Sequence, residues 1–217
     1  MRVWLDDRPG ALGAVASRIG SVRGDLVGIE ILERGANRAI DELIVEIPSA
    51  DLLDLLVREV HEVDGVDVEE VREWRHDAQD IRLAPLEIAT KLLEEVDPAS
   101  IAKTLVMRSI DVFDLGWAAV VSSDTDQVIV ALEGAAPNDT WIRAFVKGGT
   151  ARETLTGLGS GTDEIMMHGL DYGGWILVAG REQRPFRALE RSQLWMLCRI
   201  AGQYSTQLDL GLPTAKS

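Results

Sequence analysis

The 217-residue chain contains a single cysteine, Cys198, which excludes an intramolecular disulfide bond. One thiol and three scattered histidines also do not supply the clustered ligands of a zinc site. A chain with no disulfide framework is typical of a reducing compartment, so we expect a cytoplasmic protein. We predict no metal site and no cofactor.

Basic residues are also in short supply. The chain has 22 Lys and Arg against 36 Asp and Glu, a formal net charge of -14, and no dense basic cluster. Protein affinity for nucleic acid comes largely from neutralising phosphates, so this charge argues against direct nucleic-acid binding. No stretch approaches the roughly 18 apolar residues of a membrane helix, and none is predicted. The hydrophobic fraction of 46% nevertheless allows a packed core.

Signatures of catalysis are missing as well. No Gly-x-Ser-x-Gly elbow occurs, and no nucleophile, base and orienting group can be combined into a catalytic set. The glycine-rich segment 157–162 lacks the lysine of a phosphate-binding loop and does not lead from a clear strand into a helix. We therefore predict no catalytic residues and no enzymatic activity.

What the first 75 residues do contain is a regular succession of periodicities. Apolar residues in strict alternation predict strands, and apolar residues at offsets 0, 3, 4 and 7 predict helices. Gly24 is expected to end the first helix in a left-handed conformation. The patterns predict strand, helix, strand, strand, helix and strand at Val3–Leu5, Leu12–Ile19, Val27–Ile31, Leu43–Ile47, Leu53–Val60 and Val66–Val68. This βαββαβ order is that of a ferredoxin-like domain.

The second half has a different pattern. Residues 76–85 lose periodicity and carry mixed charge, which predicts a linker between domains at 1–75 and 86–212. The second domain is predicted to contain a helical stretch interrupted at Pro98, two hairpins around a variable insert, and a closing helix over Arg187–Leu208. Cys198 falls on the apolar stripe of that helix and is expected to be a core residue. Both domains are therefore of α+β class, the second an antiparallel sheet with flanking helices.

The segment Asp7–Leu12, between the first strand and the first helix, is the most informative one. Pro9 fixes its own φ, and Gly10 allows a sharp turn into the helix. The amides of Gly10, Ala11 and Leu12 begin a helix whose first turn has no internal acceptors, which favours an anion such as a carboxylate. Asp7 and Asp25 are suited to accept hydrogen bonds from an ammonium group. The pattern predicts a site for a zwitterion.

The strand, the Asp7–Leu12 loop, the amphipathic helix and the Gly24–Leu26 segment together resemble the ACT domain family over about residues 1–75. That resemblance implies an effector site, usually for an amino acid and often between paired domains. Carried onto this chain, it is lined by Asp7, Arg8, Pro9, Gly10, Ala11, Leu12, Asp25 and Leu26. The family commonly has Asn at the position of Asp25, and an ionised Asp only accepts hydrogen bonds, so the orientation of a ligand would differ.

The segment 174–179 and the residues that follow it resemble the GAF domain family over about residues 86–210; these are Phe186, Glu190, Leu194, Leu197 and Ala201. The resemblance implies a domain that binds a small molecule or only dimerises, and it identifies no ligand residue. The whole chain is thus predicted to be a homodimeric amino-acid sensor that acts on a partner protein. The alternatives are a ligand-free scaffold or regulatory subunit, and an enzyme of unfamiliar type with polar groups near residues 157–162.

Overall fold

The computed structural model describes residues 1–35, 37–73, 83–123, 128–156, 164–182 and 184–211. They form a mixed α+β protein with two antiparallel four-stranded sheets. The chain divides into two compact units, Met1–Asp77 with Arg187–Leu189, and Ala78–Phe186 with Glu190–Ser217. Ala36, most of the predicted linker, residues 124–127 and the glycine-rich segment 157–162 lie outside the described residues.

The N-terminal unit follows a β-α-β-β-α-β order. Its elements are β1 (Arg2–Asp6), α1 (Ala11–Ser21), β2 (Asp25–Gly35), β3 (Arg38–Glu46), α2 (Leu53–His61) and β4 (Asp67–Glu70), with a 3₁₀ turn at Ala50–Leu52 before α2. The strands lie in the order β2-β3-β1-β4, so β2 and β4 form the edges of the sheet.

Both helices of this unit pack on the same face of the sheet. Alternate residues of β1 and β3 point to that face, and α1 and α2 each present one apolar stripe to it. The resulting core contains Val3, Leu5, Val15, Ile19, Leu43, Leu56 and Val60. Because α1 connects β1 to β2, and β3 lies between those two strands, α1 passes over β3.

The end of α1 corrects the prediction made for Gly24. Arg23 has the positive φ of 62°, so it is Arg23 that takes the left-handed conformation. Gly24 donates its N–H to the carbonyl of Ile19 at 3.0 Å. A Cβ at Gly24 would lie 2.9 Å from Cγ2 of Ile19. Glycine is required here for close approach to α1 and not for a left-handed turn.

The C-terminal unit has a second antiparallel sheet with helices on both faces. Its elements are α3 (Ala84–Leu92), α4 (Pro98–Phe113), β5 (Trp117–Ser122), β6 (Val128–Gly134), α5 (Asp139–Thr156), β7 (Ile165–Gly169), β8 (Trp175–Gly180) and α6 (Ala188–Asp209). The strands lie in the order β6-β5-β8-β7. The alternation along β5 divides its side chains between two cores, one with α3, α4 and α6 and the other with α5.

Pro98 begins α4 and does not interrupt a longer helix as predicted. The carboxylate of Asp97 accepts a hydrogen bond from the Ser100 N–H at 3.0 Å, which caps the first turn. Proline is favoured at the first helical position because its missing N–H would have no intrahelical partner. The preceding helix, α3, ends at Leu92.

Cys198 lies in the core between the sheet and α6, as expected. Burial raises the pKa of its thiol, so the thiol stays protonated and unreactive at neutral pH. Among the described residues, no helix is long and apolar enough to cross a membrane.

Candidate functional site

The predicted binding loop lies between β1 and the first turn of α1. Gly10 occupies the position before the helix with a φ of 89°, in the left-handed region that favours glycine. The Asp7 N–H donates to the carbonyl of Asn37 at 2.8 Å, which fastens the start of the loop to the beginning of β3. Asp7, Arg8, Pro9 and Gly10 are exposed.

The first turn of α1 is only partly closed by internal hydrogen bonds. The Ala11 N–H, predicted to be available to a ligand, donates to the carbonyl of Arg8 at 3.3 Å. No side chain caps the helix. Within the described part of the chain, the amides of Gly10, Leu12 and Gly13 have no acceptor. Leu12 is half-buried and Ala11 is buried, so the usable amides are those of Gly10, Leu12 and Gly13.

Arg8 is directed to neighbouring acidic and carbonyl groups. Its Nε lies 3.6 Å from Oδ2 of Asp6, and its Nη2 lies 3.5 Å from the carbonyl oxygen of Asp64. Both groups are exposed, so these interactions contribute little to stability.

Asp25 and Leu26 lie at the opposite end of the sheet from this loop. Asp25 pairs with Glu46 at one end of β3, whereas Asp6 pairs with Arg38 at the other end. Glu46 lies eight positions after Arg38 along β3, a distance of roughly 26 Å. A single chain therefore does not bring Asp25 and Leu26 to the helix terminus with the other predicted residues.

A further acidic residue, Asp41, lies under α1 and was missed by the sequence analysis. It occupies β3 opposite Val3 of β1, and its neighbours two residues away, Ala39 and Leu43, are core residues. Its side chain therefore points to the helix-covered face. Asp41 is 3% exposed, and its Oδ1 has no hydrogen-bond partner among the described residues.

Two charged residues, one of them in the loop before α1, influence the Asp41 carboxyl group. Burial raises the pKa of its carboxyl group, the Arg34 guanidinium lowers it, and the Asp7 carboxylate raises it further. Asp7 belongs to the predicted loop, and Arg34 pairs with Ala39 at the same end of the sheet. Among the described residues at this end of the sheet, Asp41 is thus the only candidate that is buried and has a side-chain oxygen without a hydrogen-bond partner.

The edge strand β2 exposes apolar side chains beside Asp41. Ile31 pairs directly with Asp41, and Ile29 pairs with Leu43, so both isoleucines share the face of Asp41. They are 41% and 42% exposed, and Val27 on the same strand is 50% exposed. The middle of the β2 edge is therefore apolar.

The C-terminal unit has an aromatic cluster between its sheet and α5. Trp141 stacks on Phe145 with ring centroids 5.1 Å apart and meets the edge of Trp117 at 6.2 Å. Trp141 is 39% exposed, so part of this cluster faces solvent. No group of three or more potential metal ligands occurs among the described residues.

The described residues therefore define a two-unit α+β protein whose N-terminal unit contains an uncapped helix terminus and a buried carboxyl group. No family model and no curated protein matches the chain. Among solved structures, it is similar to the GAF domain of the Acinetobacter phosphoenolpyruvate-protein phosphotransferase, with 12% identity over 61% of this chain and 97% of that chain and a TM-score of 0.43. The chain is also similar to the GAF domain of a phosphoenolpyruvate-protein phosphotransferase from Coxiella burnetii. The identity is 14% over 62% of this chain and 98% of that chain, with a TM-score of 0.45.

A third similar structure is the free methionine-R-sulfoxide reductase of Neisseria meningitidis in complex with its substrate. It is 15% identical over 65% of this chain and all of that chain, with a TM-score of 0.45. Values in this range assign no family to the chain.

Proposed function

We propose that the chain is a regulatory protein that senses an amino acid through its N-terminal unit. In this proposal the N-terminal unit is a ferredoxin-like domain of ACT type, and the C-terminal unit is a GAF-like domain. The observation that carries the proposal is the uncapped start of α1, where the amides of Gly10, Leu12 and Gly13 have no acceptor in the described chain. Amides at a helix N-terminus, aligned with the helix dipole, bind a carboxylate well.

The exposed edge of β2 supports a homodimer. An edge strand leaves a row of backbone hydrogen-bonding groups unpaired, and exposed apolar side chains on it favour pairing with another chain. β2 offers 11 residues and three exposed apolar side chains for this purpose.

Antiparallel pairing of two β2 strands would also complete the predicted site. The start of one strand lies beside the end of the other in such a pair. Asp25 and Leu26 of a second copy would then approach Arg34 and Gly35, at the end of the sheet where α1 begins. We propose that the site is shared between two chains in this way.

A thermal-shift panel of the proteinogenic amino acids and cyclic nucleotides tests ligand binding. A ligand at about 100 times its dissociation constant adds roughly 2.7 kcal/mol, which corresponds to an increase on the order of 5 to 10 °C. Gly10→Val forces a β-branched side chain into the left-handed region and should abolish the shift. Gly148→Ala, in α5, is the control that should keep it. If no amino acid changes the melting temperature, the proposed function is wrong.

Ile29→Lys tests the dimer by sedimentation velocity. The charge lies on an exposed apolar position and should leave the fold intact while it prevents pairing. A wild-type chain that sediments as a monomer at micromolar concentration would contradict the shared site.

The second candidate function, a ligand-free dimerising scaffold, is favoured by the same β2 edge. A stable dimer without any ligand-induced thermal shift would support it over sensing. In either case we propose that the chain is not an enzyme and that its effect passes to a partner protein.

A further inference from the structure

Asp41 is a buried carboxyl group that the fold itself leaves without a hydrogen-bond partner. It is 3% exposed, and Oδ1 has no partner among the described residues. A buried polar atom of this kind costs about 1–3 kcal/mol, and more when it is charged. Such a cost calls for a compensating partner, and a cationic group from outside the chain would supply one.

The position of Asp41 allows that partner to be shared with the helix terminus. Ala39, two residues before Asp41 on the same face, pairs with Leu5, one residue before β1 ends. Asp41 lies three residues, or about 10 Å, from Arg38 at the end of the sheet from which α1 starts, and five residues from Glu46 at the other end. The Asp41 side chain and α1 lie on the same face of the sheet.

We propose that Asp41 binds the ammonium group of an α-amino acid whose carboxylate is held by the amides at the start of α1. This inference rests on the proposed function and names the residue that reads the amino group. The carboxylate and ammonium of an α-amino acid are separated by a single carbon, which suits an anion site and a carboxylate that face the same space.

The ligand is an amino acid with an aliphatic side chain. Ile31 lies beside Asp41 in the register, Ile29 follows on the same face, and both are more than a third exposed. An aliphatic side chain that covers them gains about 25 cal/mol for each Å² of apolar surface removed from water. A polar side chain placed there would lose hydration without a new partner.

The test is isothermal titration calorimetry of the full chain with L-leucine, L-isoleucine, L-valine and L-serine. Asp41→Asn keeps the shape and removes the charge, and it should weaken binding of the aliphatic amino acids roughly 10- to 150-fold. Asp54→Asn on α2 is the matched control, because Asp54 is exposed and lies outside the proposed site, so affinity should change less than about 3-fold. Circular dichroism and the melting temperature of Asp41→Asn establish that the variant folds.

Two analogues identify the group that Asp41 reads. In the wild type, 2-hydroxy-4-methylpentanoate lacks the ammonium and should bind as weakly as leucine binds to Asp41→Asn. That analogue should also lose nothing further in Asp41→Asn. 3-Methylbutylamine lacks the carboxylate and should bind weakly to both proteins.

The outcomes separate this inference from the proposed function. Wild-type binding of leucine that survives Asp41→Asn unchanged overturns the role of Asp41 and leaves amino-acid sensing in place. Binding of serine in preference to the aliphatic amino acids overturns the ligand class. If no amino acid in the panel binds the wild type, both proposals are wrong.

Discussion

Two buried charged residues, one in each unit, differ in how far the fold satisfies their hydrogen bonds. In the C-terminal unit the buried Arg181 is fully engaged: its guanidinium donates to both carboxylate oxygens of Glu190, at 3.0 and 2.7 Å, and to three backbone carbonyls. In the N-terminal unit the buried Asp41 has an oxygen with no partner among the described residues. A charge that the fold satisfies supports the structure, whereas a charge that it leaves unsatisfied costs stability.

The environment of Arg181 explains its structural role. The three carbonyls belong to Phe113, Arg184 and Pro185, so a single side chain ties the end of α4 to the connection between β8 and α6. The guanidinium also lies over the Phe186 ring, 4.3 Å from its centroid.

Arg181→Met should have the largest effect, because it removes the guanidinium that donates to both carboxylate oxygens of the buried Glu190. We expect the C-terminal unit to lose about 3–5 kcal/mol of unfolding free energy. Urea denaturation followed by tryptophan fluorescence measures the loss, since four tryptophans lie in this unit.

The double variant Arg181→Met with Glu190→Leu is the control for that measurement. Removing both charges eliminates the isolated carboxylate, so the double variant should recover much of the lost stability. A double variant as unstable as the single one would show that the carbonyl contacts of Arg181, and not the ion pair, hold this region.

Packing tightness also differs between α6 of one unit and α1 of the other, and helical glycines measure it. A Cβ at Gly202 of α6 would lie 1.4 Å from the Leu170 carbonyl oxygen, whereas a Cβ at Gly13 or Gly20 of α1 would meet nothing within 4 Å. Gly202→Ala should therefore cost about 3 kcal/mol in thermal or urea unfolding, because two backbones must separate.

Gly20→Ala is the matched change in the N-terminal unit. It should stabilise α1 by up to about 1 kcal/mol, since alanine is the better helix former and has space there. A stable Gly202→Ala variant would mean that α6 and the segment after β7 are more loosely packed than the contact indicates.

The sequence predicted the order and type of the elements well because their periodicities are regular. The apolar positions of α1 and the alternation in β1, β2 and β3 indicated the correct elements. Pro98 was misread because a proline inside an apolar pattern indicates either a break or a helix start, and the Asp97 cap decides between them.

The binding site was only partly predictable, for two physical reasons. Asp25 follows the helix closely in sequence, but the strand register places it at the far end of the sheet, and register depends on long-range pairing. Asp41 was missed because an acid reads as a surface residue. The alternation of Leu43, Val45 and Ile47, extended back two residues, was the signal that assigns Asp41 to the core face.

The pH dependence of stability extends the comparison, because the contributions of Asp41 in the N-terminal unit and His168 in the C-terminal unit should change in opposite directions with acid. Burial is the main cause of the raised pKa of Asp41, with Arg34 and Asp7 as the charged neighbours. The folded pKa of this carboxyl group lies above its unfolded value of 3.8. Its contribution to stability is therefore fully present below pH 3.8 and is lost as pH rises through the folded pKa. Asp41→Asn should therefore stabilise the ligand-free chain at pH 7 by on the order of 1 kcal/mol.

That gain should vanish as pH falls towards 3.8, where the carboxyl group is neutral in both folded and unfolded chains. Urea unfolding of both proteins at several pH values gives the difference directly. If Asp41→Asn is less stable than the wild type at pH 7, the carboxylate is satisfied within the fold and the case for a ligand ammonium fails.

His168 of β7 should give the opposite pH dependence of the unfolding free energy and the smallest change in it. Its Nε2 is buried without a partner in the described chain, and burial, together with the nearby Arg191 of α6, lowers the pKa of the imidazole. The folded pKa of this histidine lies below its unfolded value of 6.5. Its contribution to stability is therefore fully present above pH 6.5 and is lost as pH falls through the folded pKa.

His168→Gln, which does not titrate, should thus make the C-terminal unit less sensitive to acid as pH falls below 6.5, by less than about 1 kcal/mol. The quantity to measure is the unfolding free energy of the variant minus that of the wild type at each pH. For His168→Gln this difference rises as pH falls, whereas for Asp41→Asn it falls. Two differences with the same sign of slope would mean that the pKa of at least one of these groups is shifted in the direction opposite to that expected from burial. The contrast between the two units would then rest on packing alone.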